Sequence, residues 1–272
     1  MKERVDLLLV KRGLFDSREK AQRAIMAGLV YSENERIDKP GTKFEESISL
    51  RVKGDPLPYV GRGGLKLEKA LKVFDFDVSG KLMLDIGAST GGFTDCALQN
   101  GAKRVYALDV GFNQLAWKLR NDERVIVMER TNFRHASPAD FKVGQPEVAT
   151  MDVSFISLKL MLPPLKEILV EEGEAVALIK PQFEAGREDV GKKGIVRDPA
   201  VHERVITDIL DFASVTGFQC LGLDYSPITG GDGNIEFLAH LKKTDLNTSS
   251  LNHSEIEAVV QKAHRELRDN KR

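Results

Sequence analysis

From residue 81 onward the chain alternates between two hydrophobic periods. Five near-continuous apolar runs stand out: LMLDI (82–86), RVYALDV (104–110), RVIVM (124–128), EVATMDV (147–153) and EAVALIK (174–180). Runs apolar at consecutive positions are buried on both faces, as strands of a parallel sheet are. The stretches between them have helical spacing, and strands alternating with helices predict a doubly wound α/β sheet. After the fifth run the order changes to a long loop, a helix over about 200–216, then FQCLGLDYS (218–226) and NIEFLAHLKK (234–243). Two strands joined only by a turn-rich loop predict a terminal antiparallel hairpin at the sheet edge.

The first sixty residues follow a different pattern. Val5, Leu8 and Leu9 predict a short helix over about 3–12. A second helix is capped by Asp16 or Ser17, carries Ala21, Ala24 and Ile25 inward, and ends at Gly28, placed where a terminating glycine belongs. Lys20 and Arg23, three apart, share one side of it. Short strand-like pieces, LVYS and SISLRV, flank a turn-rich segment. A unit with so small an α+β core suits binding rather than catalysis. The linker KGDPLPYVGRGG (53–64), with its prolines and glycines, marks the boundary. The expected organisation is an N-terminal domain over 1–58, a linker over 59–64, a catalytic α/β domain over 65–245 and a tail helix over 246–272. The tail stripe of Ile256, Val259, Val260, Ala263 and Leu267 fits packing on its own domain, and it also fits a contact with a partner or RNA.

Composition changes this picture little. A formal net charge of −1 gives no global excess toward nucleic acid, so any such surface is local. Cys96 and Cys220 lack metal-ligand spacing and read as buried, reduced thiols, and no metal site is expected. The apolar run Val5 to Val10 is too short for a signal segment or a membrane span. A cytoplasmic protein without stable membrane association is expected.

The chemistry concentrates at strand ends. DIGASTGGFTD sits where the first strand of the sheet turns into a helix, at the crevice where open α/β sheets bind ligands. Gly87, Gly91 and Gly92 permit a sharp turn and close approach of a ligand, with Ser89 between them. The Lys-Ser/Thr of a phosphate loop is missing after the last glycine, and so is the G-x-G-x-x-G of dinucleotide sites. Asp85 before the turn would repel a pyrophosphate and attract a sulfonium and an α-ammonium. Asp109, ending the next strand, can accept both hydroxyls of a ribose. Either acid alone can be a mere helix cap. Together with the glycines they indicate S-adenosylmethionine (SAM), with Asn132 flanking the adenine. On the acceptor side, Asp152, Lys180 and Glu236 fall at or beside later strand ends, and Lys66 lies in the helix entering the domain. Each singly can be a structural ion pair. As a Lys-Asp-Lys-Glu set they suit O-methylation, because a lysine can take the proton of a weak hydroxyl nucleophile or stabilise the alkoxide.

These residues carry a resemblance. YVGRGGLKLEKAL, DIGASTGGFTD, ALDVG, MDVSFISL, LIKPQFE and SPITGGDGNIEFL, in this order, resemble the motifs of the TlyA family, often labelled hemolysin A. Its members are 2′-O-ribose methyltransferases of ribosomal RNA. The catalytic domain is similar to the FtsJ group of RNA ribose methyltransferases. The resemblance implies a Rossmann-like SAM-dependent fold and a tetrad at Lys66, Asp152, Lys180 and Glu236, with Lys180 nearest the attacking 2′-oxygen. Gly61 departs from the pattern, where a serine is expected before Arg-Gly-Gly. The N-terminal unit resembles the RNA-binding domain of ribosomal small-subunit protein S-four. That likeness implies phosphate contacts from Lys11, Arg12, Arg18, Lys20 and Arg23, with Arg62 also on the RNA side. The glycine-rich loop 185–199, with Lys192, Lys193 and Arg197, is either a lid over RNA or a mobile surface loop. Ribosomal RNA or ribosomal subunits are the implied partners. Two other functions compete: membrane lysis, against which the lack of a span and of a basic amphipathic helix argues, and a non-catalytic ribosome-assembly factor.

Overall fold

The structure, a computed structural model, describes residues 2–15, 17–32, 35–53, 57–191, 193–230, 233–244 and 251–269. Its contacts divide the chain into two compact units, Met1–Pro58 and Tyr59–Arg272.

In the first unit, β1 (Lys2–Arg4) leads directly into α1 (Val5–Lys11), followed by α2 (Arg18–Met26). Ser17 caps α2 by accepting from the Lys20 N–H; Asp16, the other cap candidate, lies outside the described residues. Gly28 has φ +71°, the left-handed turn that ends such a helix. The strands are β2 (Val30–Ser32), β3 (Glu35–Arg36), β4 (Lys43–Glu45) and β5 (Arg51–Val52). They form a three-stranded sheet in the order β3-β2-β5 and a β1-β4 pair. Val5, Leu9, Phe15, Ala21, Ala24, Ile25, Val30 and Ile37 make the small core.

The second unit opens with α3 (Gly64–Phe74). It continues through β6 (Leu82–Ile86), α4 (Gly92–Gln99), β7 (Arg104–Leu108), α5 (Trp117–Arg120), β8 (Val125–Met128), β9 (Val148–Met151), α6 (Leu162–Ile168), β10 (Glu174–Ile179) and α7 (Pro181–Glu184). It ends with α8 (Pro199–Thr216), β11 (Phe218–Tyr225), β12 (Phe237–Lys243) and α9 (His253–Asp269). Among the described residues the sheet has seven strands, in the order β11-β12-β10-β9-β6-β7-β8. β12 is antiparallel to both β10 and β11, so the last strand inserts inside the sheet and β11 takes the edge. β6 lies between β7 and β9, both parallel to it, so the chain reverses direction across the sheet there. That reversal opens the crevice where a ligand binds. Two apolar clusters cover the two faces, one centred on α3 and α4 and the other on α6, α8 and α9. Cys96 and Cys220 are free and buried, and burial pushes their thiols up to about 12 and about 11. On α9, His264 Nε2 meets His202 Nδ1 of α8 at 2.8 Å, fixing the tail helix on its own unit. Among the described residues no helix is long and apolar enough to cross a membrane.

Residues 59–64, read above as a linker, fall in the second unit. Tyr59 is buried in the α3–α4 cluster, and the Val60 N–H donates to Asp95 Oδ2 at 2.9 Å.

Candidate active site

Four polar side chains from four elements meet at the carboxyl ends of β9 and β10. Lys66 comes from the first turn of α3, Asp152 follows β9, Lys180 follows β10, and Glu236 immediately precedes β12. Lys66 Nζ lies 3.1 Å from Asp152 Oδ2 and 2.7 Å from Glu236 Oε2. Lys180 Nζ lies 2.5 Å from Asp152 Oδ1 and donates to Ser154 Oγ at 3.2 Å. All four residues singled out for the acceptor site therefore sit in one network, joined by Ser154.

Two ammonium groups and two carboxylates balance formally. Burial works to lower the Lys66 pKa, but Asp152 and Glu236 more than offset it, so its ammonium is held above the usual lysine range. Burial works to raise the Asp152 carboxyl, and Lys66 and Lys180 overcome that, holding it below the usual carboxylate range. Both lysines line an open cleft of about 510 Å³ together with Ser154, Phe155, Gln182 and Phe183, but Lys66 is a fixed cation enclosed between two acids, whereas Lys180 pairs with one. Phe155 is 91% exposed, has φ +63°, and its ring lies 4.9 Å from that of Phe183. A left-handed phenylalanine at the mouth of a cleft is a strained conformation of the kind that collects at functional sites. The sequence alone did not single out Ser154, Phe155, Gln182 or Phe183; only their membership of MDVSF and KPQF, beside Asp152 and Lys180, could have.

The glycine turn borders a second cleft of about 310 Å³, which shares Lys66, Gly87, Ser89, Asp152 and Gly230 with the first. Gly87 has φ +85°, and a Cβ there would stand 2.5 Å from the Asp152 carbonyl oxygen. The turn is therefore pressed against the strand end that carries the acid. Gly91, also left-handed, caps α4, and Gly92 is that helix's first residue and lines the cleft. Asp109 follows β7 with its carboxylate aimed by two backbone N–H donors, Ser89 to Oδ2 at 2.8 Å and Gly111 to Oδ1 at 2.7 Å. Each oxygen keeps acceptor capacity for a further hydroxyl. Arg62 lines the cleft and donates to the Thr229 carbonyl at 3.1 Å. Gly61, the departure noted in the sequence, has a local reason: a Cβ there would meet Thr90 Oγ1 at 2.9 Å.

One expectation is corrected. Asp85 offers no carboxylate to a ligand. It is fully buried, accepts from Thr94 Oγ1 at 2.7 Å and Thr150 Oγ1 at 3.1 Å, and burial pushes its pKa up to about 6. Its side chain points into the protein and fastens α4 and β9 to β6. Asn132 caps the short turn over Phe133–His135, its side chain accepting from the Arg134 N–H at 3.2 Å, and like Asp109 it lines neither of the two clefts.

The Asp85 environment predicts a pH effect. Its folded pKa lies above the ordinary value of 3.8, so the folded state binds the proton more tightly. Its contribution to stability is full below about pH 4 and falls as pH rises to about 6, by about 3 kcal/mol in all. Asp85→Asn removes this slope. Urea midpoints measured across that range are expected to fall less in the variant than in the wild type; parallel curves would refute the assignment.

In the first unit Lys11, Arg12, Arg18 and Arg23 have partners within the unit. Lys11 pairs with Glu3 at 3.4 Å and Glu46 at 3.0 Å. Arg12 donates to the carbonyls of Ile48 at 2.6 Å and Glu46. Arg18 Nε reaches Asp6 Oδ2 at 2.9 Å, and Arg23 pairs with Glu19. Lys20 is exposed on the Arg23 side of α2. Asp6 is fully buried, and its hydrogen bonds to Arg4, Gln22 and Arg18 outweigh burial to hold its carboxyl well below the usual range. Arg18 is therefore partly a structural residue, which its charge alone did not reveal.

Comparison with known proteins agrees with the strand-end geometry. The model of the FtsJ-like methyltransferases matches residues 59–243, and that of the S4 domain matches residues 3–47. The chain belongs to the FtsJ-like methyltransferase family. YqxC of Bacillus subtilis (strain 168), named as an rRNA methyltransferase, is 63% identical over 99% of this chain and 97% of its own length. The 16S/23S rRNA (cytidine-2′-O)-methyltransferase TlyA of Mycobacterium tuberculosis is 42% identical over 88% of this chain and 89% of its own. A solved structure from Streptococcus thermophilus, described as a hemolysin, superposes with a TM-score of 0.80 at 57% identity, covering 99% of this chain and 98% of that one. As a member of the FtsJ-like family with an S4 domain, the chain is a methyltransferase, and its mostly parallel seven-stranded sheet is the fold expected from the sequence.

Proposed function

We propose that the chain transfers a methyl group from SAM to a ribose 2′-hydroxyl of ribosomal RNA. The observation that carries this reading is the Lys66–Asp152–Lys180–Glu236 network beside the glycine turn. Two close relatives named for rRNA methylation support the substrate class.

The residues around the turn fit the donor. Asp109, held by two N–H groups with lone pairs to spare, suits the two hydroxyls of an adenosine ribose. Gly87 and Ser89 border both clefts, so a ligand along the turn reaches the tetrad. When bound, SAM supplies a methyl carbon activated by its positive sulfur. Lys180 meets the acceptor oxygen: with Asp152 and Ser154 taking two of its donors, one remains for the ribose hydroxyl. Once the amine has given up that third proton, its lone pair accepts the hydroxyl proton as the C–O bond forms and the methyl–sulfur bond breaks. Asp152 orients Lys180, and Lys66 with Glu236 fixes Asp152 without entering the proton transfer. Phe155, exposed beside Phe183, presents an aromatic face on which a splayed-out base stacks. The exposed bases of the first unit exchange their surface acids for phosphates, which positions the RNA without reading its sequence.

Asp109→Ala is expected to weaken SAM binding about tenfold to a hundredfold by removing a charged acceptor of two hydroxyls. Calorimetric titration checks this, and unchanged affinity would move the donor elsewhere. The reading as a whole is tested by incubating intact ribosomal subunits with methyl-labelled SAM. Label is expected in RNA containing the 2′-hydroxyl and not in the matching 2′-deoxy substrate.

A further inference from the structure

The acceptor network has a member outside the four residues. Gln182 lies two residues past Lys180, on α7, and lines the same cleft. Its Nε2 donates to Glu236 Oε1 at 3.3 Å, while the other oxygen of Glu236 takes the Lys66 ammonium. The contacts therefore run from Lys180 to Asp152, to Lys66, to Glu236 and to Gln182, and return to Lys180 through one residue of backbone. This closed circuit ties the ends of β9, β10 and β12 and the first turn of α3 to one another.

We infer that Gln182 is a positioning residue for methyl transfer, fixing Glu236 and, through it, the Lys66 ammonium that holds Asp152. Two features argue against a packing role. The amide orientation is set by chemistry: turned over, its oxygen would face a carboxylate oxygen and the donor would be lost. In this orientation Gln182 Oε1 is buried without a hydrogen-bond donor among the described residues. A buried, unpaired carbonyl is a cost that an apolar side chain of the same size avoids. Gln182 therefore stands here for its N–H group, not its volume. Glu236 is 2% exposed, so without that donor one of its oxygens would be left unpaired inside the protein.

The inference rests on the methyltransferase reading above, and the wild-type chain assayed alongside tests that reading separately. Two variants separate positioning from packing. Gln182→Leu keeps bulk and removes the donor. Its kcat is expected to fall about tenfold to a hundredfold at every pH, with SAM affinity unchanged. Gln182→Glu is isosteric and sets a second carboxyl against Glu236. Two acids so close share a proton, and the shared proton restores the donor. Its kcat is therefore expected near wild type at low pH and to fall as pH rises, an alkaline limb absent from the wild type. The ratio of kcat at about pH 6 to that at about pH 8.5 should exceed the wild-type ratio about tenfold. Thermal melting confirms that both variants are folded. Wild-type kcat in Gln182→Leu, wild-type kcat across the whole pH range in Gln182→Glu, or equal losses with the wild-type pH profile in both, would overturn the inference.

Discussion

Lys180→Ala is expected to lose methyl transfer by about a thousandfold or more while binding SAM within about twofold of the wild type. The size follows from the position of Lys180. Both lysines of the network line the open cleft, but the Lys180 ammonium pairs with one acid and is not enclosed between two. Removing it takes away the group that meets the acceptor oxygen and leaves the donor cleft, which it does not line, intact. Lys180→Met, which keeps more of the volume, should lose as much. Single-turnover methylation with saturating SAM, together with a binding titration, separates the two effects. Activity within about threefold of wild type would move the proton transfer to another group.

Lys66→Ala is expected to fail differently, losing stability as well as activity. Lys66 is enclosed between Asp152 and Glu236, both largely buried. Breaking a buried ion pair from one side costs about 3–5 kcal/mol, because the partner charge stays buried. The pH dependence identifies the cause. In the wild type the folded pKa of Asp152 lies below its ordinary value, so its stabilising contribution is present at neutral pH and is lost as pH falls through that folded value. In the variant Asp152 loses one of the two cations that hold its carboxyl down, so burial works to raise its folded pKa with less to offset it. The variant then regains stability as Asp152 takes up a proton. The gap between the two denaturation midpoints should be widest at about pH 8 and narrow toward about pH 5. A gap independent of pH would mean that Lys66 matters for packing alone.

Much of this site was legible because strand ends are legible. The five apolar runs mark their own termini, and a charged residue at the end of a doubly buried strand must face the crevice or carry a partner. Asp152 and Lys180 were found in this way. The side to which a terminal side chain turns was not legible. Residues of β6 are buried on both faces, so alternation carries no information there, and Asp85 turned inward to two threonines rather than outward to a ligand. Register with the returning strand was also hidden. β12 enters between β10 and β11, which sets Glu236 beside Lys66 across 170 residues of chain. Gln182 and Phe155 carry no charge and no spacing signal, and only three-dimensional proximity reveals them. The surface bases of the first unit were legible as charges, and Glu19–Arg23 also as a pair four apart on α2, but the pairs to Asp6 and Glu46 were not, since those partners come from other elements.

The central claim is that the acceptor is a ribose hydroxyl, and chemical identification of the methylated product tests it most directly. Ribosomal subunits treated with the wild-type chain and isotopically labelled SAM are digested to nucleosides and analysed by mass spectrometry. The label is expected on the sugar fragment, as a 2′-O-methyl nucleoside absent from the Lys180→Ala reaction. Label on a base fragment, or equal labelling by the Lys180→Ala variant, would contradict the account.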